Sequence, residues 1–147
     1  METNFIIRQI SIFLENRPGS LAEVTRYLAD QRVNLRAMSI ADSRDFGTIR
    51  IIASDQDACA EALRKQGYQY NEVDVLAAEM PDRPGGIAEV AEIIAQENIN
   101  IEYGYAMVEK KEDSAVIVLR VDDPYRASIV LRGKGVRLLS ELEVKQL

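Results

Sequence analysis

Histidine and tryptophan are absent from this chain of 147 residues, and cysteine occurs once, as Cys59. Without histidine the chain cannot form a Ser-His-Asp triad, and a single cysteine cannot supply the ligands of a structural zinc site. One cysteine also cannot close an internal disulfide, which fits a reducing cytoplasm, the location we expect. These absences argue against several classes of enzyme and predict that the chain holds no metal or other cofactor.

Long apolar runs and an excess of basic residues are also lacking. No run approaches the roughly 18 to 20 apolar residues that a membrane helix needs, so we expect no membrane span. The N-terminus, residues 1–5, carries an acid and no basic segment, which is not typical of a secretory signal. Lys plus Arg number 18 against 24 Asp plus Glu, a formal net charge of −6, and the basic residues are interspersed with acids. This pattern argues against a nucleic-acid partner.

An internal repeat is the main positive feature of the sequence. Residues 17–24, RPGSLAEV, recur as residues 83–90, RPGGIAEV, at an offset of 66. The same offset places Val33-Asn34-Leu35 on Ile99-Asn100-Ile101, and eight positions between residues 17 and 35 are identical in the two copies. Repeats of fixed period indicate repeated structural units. We therefore predict a duplication, with domains at residues 1–72 and 73–147.

Each copy is predicted to fold as βαββαβ, the ferredoxin-like arrangement of an antiparallel sheet with helices on one face, in the α+β class. The predicted elements of the first copy are strand 6–14, a helix from about residue 20, strands 34–41 and 48–53, helix 55–66 and strand 68–74, running on toward 80. Those of the second copy are strand 74–80, helix 86–97, strands 100–108 and 114–121, a helix after Asp123-Pro124 and strand 136–144. Turns are predicted at 42–47 and 109–113.

Helix ends support this assignment. Ser20 with Glu23 three residues later predicts an N-cap with a capping box, whereas Gly86 replaces the serine in the second copy. Asp55 and Asp123 are predicted to begin the later helices. Gly67 is typical of the residue just past a helix end, and Gly133 or Gly135 is predicted to end the last helix.

The segment Asn16-Arg17-Pro18-Gly19-Ser20-Leu21, followed by Val33-Asn34-Leu35 and repeated at a fixed offset, resembles the ACT domain. ACT domains are small-molecule-sensing modules found on amino-acid metabolic enzymes and regulators. The resemblance covers essentially the whole chain and implies a tandem ACT protein without an attached enzyme. It further implies binding of an amino acid at an interface between ACT domains, a homodimer, and a metabolic enzyme as the regulated partner.

The residues of the two turns fit such a ligand. The first N–H groups of a helix lack internal acceptors and attract anions, so amides near both Pro-Gly turns are candidate donors to a carboxylate. Side chains before the turns can accept from the ammonium group, and an asparagine amide can both donate and accept. The resemblance implies that the strand asparagines contact the ligand. The candidate residues are Asn16, Gly19, Ser20, Leu21 and Asn34, and in the second copy Asp82, Gly85, Gly86, Ile87 and Asn100.

Other interpretations of these residues stay open. Family members can carry a polar side chain two residues before the position of Asn16, where this chain has Leu14 and Met80, which leaves the identity of the ligand in doubt. Pro-Gly turns are often only turns, and both asparagines could simply lie at strand entry. A protein–protein interaction module with a degenerate ligand site is therefore the alternative function.

Some side chains are expected to have structural roles. We expect Arg17 and Arg83 to pair with nearby acids, and Cys59 to be a buried small hydrophobe. Tyr103 and Tyr105 are expected to pack rather than to close over a ligand. Because Asn16 corresponds to Asp82 and Ser20 to Gly86, we also expect the two turns to bind unequally.

Overall fold

The computed structural model describes residues 4–42, 46–107 and 114–147. The predicted turn at 109–113 lies outside these ranges, and so do residues 43–45 of the turn predicted at 42–47, whose other residues lie in strands. The elements, in chain order, are β1 Ile7–Glu15, α1 Ser20–Asp30, β2 Leu35–Asp42, β3 Phe46–Ala53, α2 Gln56–Gln66, β4 Tyr70–Pro81, α3 Gly86–Gln96, β5 Ile101–Ala106, β6 Ser114–Val121, α4 Pro124–Gly133 and α5 Glu141–Gln146.

The chain divides into two compact units. The first unit is Arg8–Val73, and the second unit is Asp74–Leu147 together with the N-terminal residues up to Ile7. Residues 4–7 thus lie with the second unit, although the sequence assigned them to the first. The reason is apolar packing: Phe5 and Ile6 pack against the core of the second unit, and the Arg132 guanidinium lies 4.2 Å from the centre of the Phe5 ring.

The first unit is an antiparallel sheet with two helices on one face. β3 pairs with both β1 and β2, so that Ile10 lies opposite Ile51 and Ile12 opposite Ile49. The Phe13 N–H donates to the Gln69 carbonyl at 3.0 Å, which brings the chain entering β4 beside β1. The helices pack on the isoleucine face of the sheet. The residues that α1 and α2 contribute to this buried cluster are Val24, Leu28, Cys59, Ala60, Ala62 and Leu63.

The second unit repeats this arrangement. β6 pairs antiparallel with β4 and with β5, and its core-facing side chains meet those of α3 and α4. The buried cluster contains Leu76, Ala78, Val90, Ile94, Ile99, Ile117, Leu119, Val121, Ala127, Leu131 and Leu138. The prediction of an α+β chain with two tandem ferredoxin-like units is confirmed.

The predicted final strand, 136–144, is wrong over most of its length. Only a short segment pairs with β4: the Glu79 N–H donates to the Arg137 carbonyl and the Leu139 N–H to the Ala77 carbonyl, at 2.8 and 2.9 Å. The chain then turns into helix α5, where Ser140 and Glu143 form a capping box. A capping box satisfies two N-terminal amides at once, and this motif favours a helix over continuation of the strand.

The predicted ends of α2 and α4 are confirmed. Asp55 accepts from the Ala58 N–H at the start of α2, and Asp123 accepts from the Arg126 N–H at the start of α4. Gly67 follows α2 with a φ of 80°, and α4 ends at Gly133.

Cys59 is buried, and we expect it to be unreactive in the folded protein. Its exposed fraction is 0%, and burial raises the pKa of the thiol to about 12. The thiolate is the reactive form, and at about pH 8 only roughly one thiol in ten thousand would be ionised. Ellman's reagent should therefore label Cys59 only when denaturant unfolds the chain. Rapid labelling of the native protein would contradict the buried placement.

Candidate functional site

Each Pro-Gly turn ends in a glycine that caps the following helix. Gly19 and Gly85 both have a φ of 90°, in the left-handed region that side chains other than glycine rarely adopt. A Cβ atom at either position would meet nothing within 4 Å. Backbone conformation rather than lack of space therefore requires glycine at both positions. The surface above both turns is open.

The predicted capping box at Ser20 is wrong. The N-cap is Gly19, no side chain caps α1, and Ser20 is the first helical residue. The Glu23 carboxylate instead accepts from the Arg17 guanidinium at 3.1 Å, and this hydrogen bond is the largest cause of a raised Arg17 pKa. The expected pairing of the two arginines with nearby acids is confirmed, because Arg83 likewise donates to Glu89 at 2.8 Å.

Some of the predicted amide donors are available and others are already bonded. The Ser20 N–H donates to the Arg17 carbonyl at 3.3 Å, and the Gly86 N–H donates to the Arg83 carbonyl at 3.0 Å. The next two amides of each helix have no acceptor within the described ranges. Amides at this position carry the positive end of the helix dipole and attract anions. The available donors are those of Leu21, Ala22, Ile87 and Ala88.

Packing explains why the second copy has Gly86 where the first has Ser20. A Cβ at Gly86 would lie 2.2 Å from the carbonyl oxygen of Pro81, a distance that no side chain tolerates. The start of α3 therefore approaches the end of β4 more closely than any residue with a Cβ would permit. The difference between Ser20 and Gly86 therefore follows from the close approach of the backbone in the second turn.

The two strand asparagines lie far from the turn of their own unit. Asn34 and Asn100 are exposed just before β2 and β5, and their carbonyls accept from the Ser54 and Asp122 N–H groups. The 11 residues of α1 separate Gly19 from Asn34. Such a helix spans about 16 Å, so the two lie at opposite ends of the unit. The structure groups Asn16, Gly19, Ser20 and Leu21 at one end, and Asp82, Gly85, Gly86 and Ile87 in the same way, and it leaves both asparagines apart from them.

A groove lies beside each turn. The groove of the first unit has a volume of about 300 Å³ and is lined by Leu14, Ser20 and Tyr68, with the Arg17–Glu23 pair at its rim. Among the ten predicted residues, Ser20 is the one that lines it. Leu14 packs against the buried cluster, which is why no polar side chain occupies that position.

The groove of the second unit, about 460 Å³, is lined by Met80 and Val136 at the places of Leu14 and Tyr68, and also by Val90. Tyr68 and Val136 were not predicted as lining residues. The signal that could have found them is the glycine before each one: Gly67 directly follows α2 with a φ of 80°, and Gly135 lies two residues after the end of α4 with a φ of 83°.

Tyr103 and Tyr105 are half-buried on β5, opposite Arg120 and Val118 of β6. In the part of the chain that the structure describes, no group of three or more acidic, cysteine or histidine side chains is placed to hold a metal ion. Within the same residues, no helix is long and apolar enough to cross a membrane.

Comparison with known proteins identifies the family. Residues 5–147 match the ACT domain pair family. The chain belongs to this family. A solved structure of protein BT0572 from Bacteroides thetaiotaomicron is 36% identical, with a TM-score of 0.90, and the match covers 97% of this chain and 98% of that one. The resemblance of the repeated segments to ACT domains is thereby confirmed.

Aspartokinases are similar to this ACT pair over part of their length. The chain is 28% identical to the aspartokinase of Corynebacterium glutamicum over 126 residues, which cover 75% of this chain and 29% of the aspartokinase. The regulatory subunit of aspartate kinase from Thermus thermophilus shares the fold at 15% identity, with a TM-score of 0.60, over 90% of this chain and 94% of that one. The ACT pair resembles such regulatory subunits, and residues 5–147 contain no catalytic domain beside it.

Proposed function

We propose that this ACT pair is a non-catalytic sensor that binds a small amino acid, or a related carboxylate, where ACT units meet. The observation that carries the proposal is the pair of Pro-Gly turns, each of which presents unbonded helix amides to open surface. Binding would regulate a partner enzyme or the oligomeric state of the chain. A ligand achieves this only by binding one state more tightly than the other.

The chemistry of the turns matches the two charged groups of a free amino acid. A carboxylate fits the Leu21 or Ile87 amides, because they lie at the positive end of a helix. The ammonium group can donate to the Asn16 side chain beside the first turn or to the Asp82 carboxylate beside the second. Since one acceptor is neutral and the other charged, we propose that the two turns differ in affinity.

The separation of Gly19 from Asn34 supports a site shared between units. The length of α1, about 16 Å, exceeds the reach of a small amino acid, so one unit cannot supply both groups. We propose that the turn of one unit and the asparagine of another enclose the ligand together. Similarity to aspartate kinase regulatory subunits supports a regulatory role, and we propose a cytoplasmic metabolic enzyme as the partner and a homodimer as the assembly.

A thermal-shift screen against the twenty amino acids tests the proposal. One or a few should raise the melting temperature, because a ligand at a hundred times its Kd stabilises the native state by about 2.7 kcal/mol. Asn34→Ala and Asn100→Ala should remove the shift without altering the melting temperature of the unliganded protein. Asn71→Ala, an exposed asparagine on β4, is the matched control and should keep the shift. No shift with any amino acid would favour the interaction-module alternative.

A further inference from the structure

A further cleft of the second unit lies between its N-terminal segment and α4. One wall is formed by residues 4–6 and the other by the exposed face of α4. The cleft has a volume of about 560 Å³ and shares no lining residue with the grooves beside the two Pro-Gly turns. Small-molecule sites in proteins commonly have volumes of about 300 to 1,000 Å³, so this cleft has room for a ligand of that size.

The α4 wall of this cleft combines large apolar side chains with one arginine. Tyr125, Ile129 and Arg132 follow each other at intervals of four and three residues, which places them on one face of the helix. Tyr125 is 70% exposed and Ile129 is 60% exposed. Phe5 and Ile6 on the opposite wall are half-buried. A ligand in the cleft would therefore cover apolar surface on both sides, and removal of this surface from water favours a ligand with an apolar body.

Arg132 is placed to bind an anion in the cleft. Its guanidinium lies 4.2 Å from the centre of the Phe5 ring. An arginine stacked on an aromatic ring still presents the N–H groups at the edge of its plane, and this edge binds a carboxylate through two parallel hydrogen bonds. Within residues 4–42, 46–107 and 114–147, the Arg132 guanidinium has no hydrogen bond or ion pair. Arg126 on the same helix, by contrast, pairs with Glu97 at 3.1 Å.

The other polar groups of the cleft do not suit an ammonium group. No acidic side chain lines the cleft in the part of the chain that the structure describes, although the sequence has 24 Asp and Glu. The Asn4 side-chain oxygen already accepts from the Ile6 N–H at 2.9 Å, and the Ser128 hydroxyl donates to the Tyr125 carbonyl at 2.8 Å. An ammonium group would have no carboxylate partner here and would be repelled by the Arg132 cation. A carboxylate without an ammonium group is therefore favoured over an amino acid.

We propose that this cleft binds an apolar monocarboxylate that lacks an ammonium group, such as an aryl-substituted short-chain acid. The carboxylate accepts from the Arg132 guanidinium, and the apolar body lies along Ile129 toward Tyr125. Seven residues of helix, about 10 Å, separate Tyr125 from Arg132, which sets the length of ligand that the cleft accommodates. This site differs from the amino-acid site of the proposed function in its place on the chain and in the class of its ligand.

Titration of the labelled full chain with 3-phenylpropionate, followed through amide chemical shifts, measures binding at this cleft separately from the turns. The amides of Ile6, Ile129 and Arg132 should shift together with a single Kd. The uncharged 3-phenylpropionamide, and phenylalanine, which adds an ammonium group, should shift these amides with a Kd at least about tenfold higher. Because the measurement is local to the cleft, its result does not depend on whether an amino acid binds at the Pro-Gly turns.

Arg132→Gln tests the residue that binds the carboxylate. The Kd for 3-phenylpropionate should rise about tenfold or more, because glutamine lacks the charge and the two parallel N–H groups. Arg126→Gln, the same replacement on the same helix, is the matched control and should change this Kd by less than about twofold, because it alters only a surface ion pair. Both arginines are exposed, so both variants should fold like the wild type.

Ile129→Asp gives an independent check within the cleft. The new carboxylate would lie three residues before Arg132, where it can pair with the guanidinium, and it would repel the ligand. We therefore expect the shifts caused by 3-phenylpropionate to disappear in this variant. Three results would each overturn the proposal: no shift of the cleft amides in the wild type, an equal Kd for 3-phenylpropionamide, or an unchanged Kd in Arg132→Gln.

Discussion

Replacing Gly86 by alanine is expected to lower the free energy of unfolding by about 3 kcal/mol, at the upper end of typical overpacking costs. The added Cβ would lie 2.2 Å from the Pro81 carbonyl oxygen and 3.3 Å from its carbon. Both are backbone atoms, so no flexible side chain can move aside. The start of α3 must shift away from β4, and this shift also displaces the amides of the second turn. Urea denaturation followed by circular dichroism measures the change.

Gly133→Ala is the matched control, since it changes a helical glycine with nothing within 4 Å of its Cβ. We expect no loss of stability there, because alanine has a higher helix propensity than glycine. Equal stability of the two variants would contradict the close approach of Gly86 to Pro81. If an amino acid stabilises the chain, Gly86→Ala should also weaken its binding at the second turn.

Replacing Gln56 by leucine is expected to lower the free energy of unfolding by about 3 kcal/mol, because one buried and one partly buried backbone group would each lose a hydrogen bond. Gln56 is 3% exposed at the start of α2. Its side-chain oxygen accepts from the Ala53 N–H at 3.1 Å, and its amide nitrogen donates to the Arg8 carbonyl. The side chain therefore joins α2 to β1 and β3, and leucine fills the space without replacing either bond.

Gln66→Leu provides the control for Gln56→Leu on the same helix. Gln66 is exposed at the end of α2, so its replacement should change stability by less than about 0.5 kcal/mol. Thermal and urea unfolding of both variants give the comparison. Equal changes in the stability of the two variants would contradict the expected contribution of the Gln56 hydrogen bonds.

Much of the fold could be predicted because local signals and the repeat agree. Asp55, Gly67 and Asp123 mark helix ends through interactions with their immediate neighbours, so sequence spacing suffices to place them. At residues 136–144 the signals conflicted: the apolar residues suggested a strand, whereas Ser140 and Glu143 formed a capping box. Gln56 gave no signal, because a glutamine at a helix start is usually exposed and only the folded chain shows what covers it.

The candidate site was predicted less completely than the fold. The two turns could be predicted from Pro-Gly and the repeat. The N-cap of α1 could not, because the left-handed conformation of Gly19 depends on the path of the turn. The reason for Gly86 lies in the distant carbonyl of Pro81.

Titration of the isotopically labelled protein with the amino acid that raises its melting temperature shows directly whether the ligand binds at the Pro-Gly turns. Amide chemical shifts report ligand contact residue by residue. We expect the Leu21 and Ala22 amides, or the Ile87 and Ala88 amides, to shift most, and one turn to respond at a lower ligand concentration than the other. Largest shifts on the exposed face of α4, with both turns unchanged, would contradict a ligand site at the Pro-Gly turns.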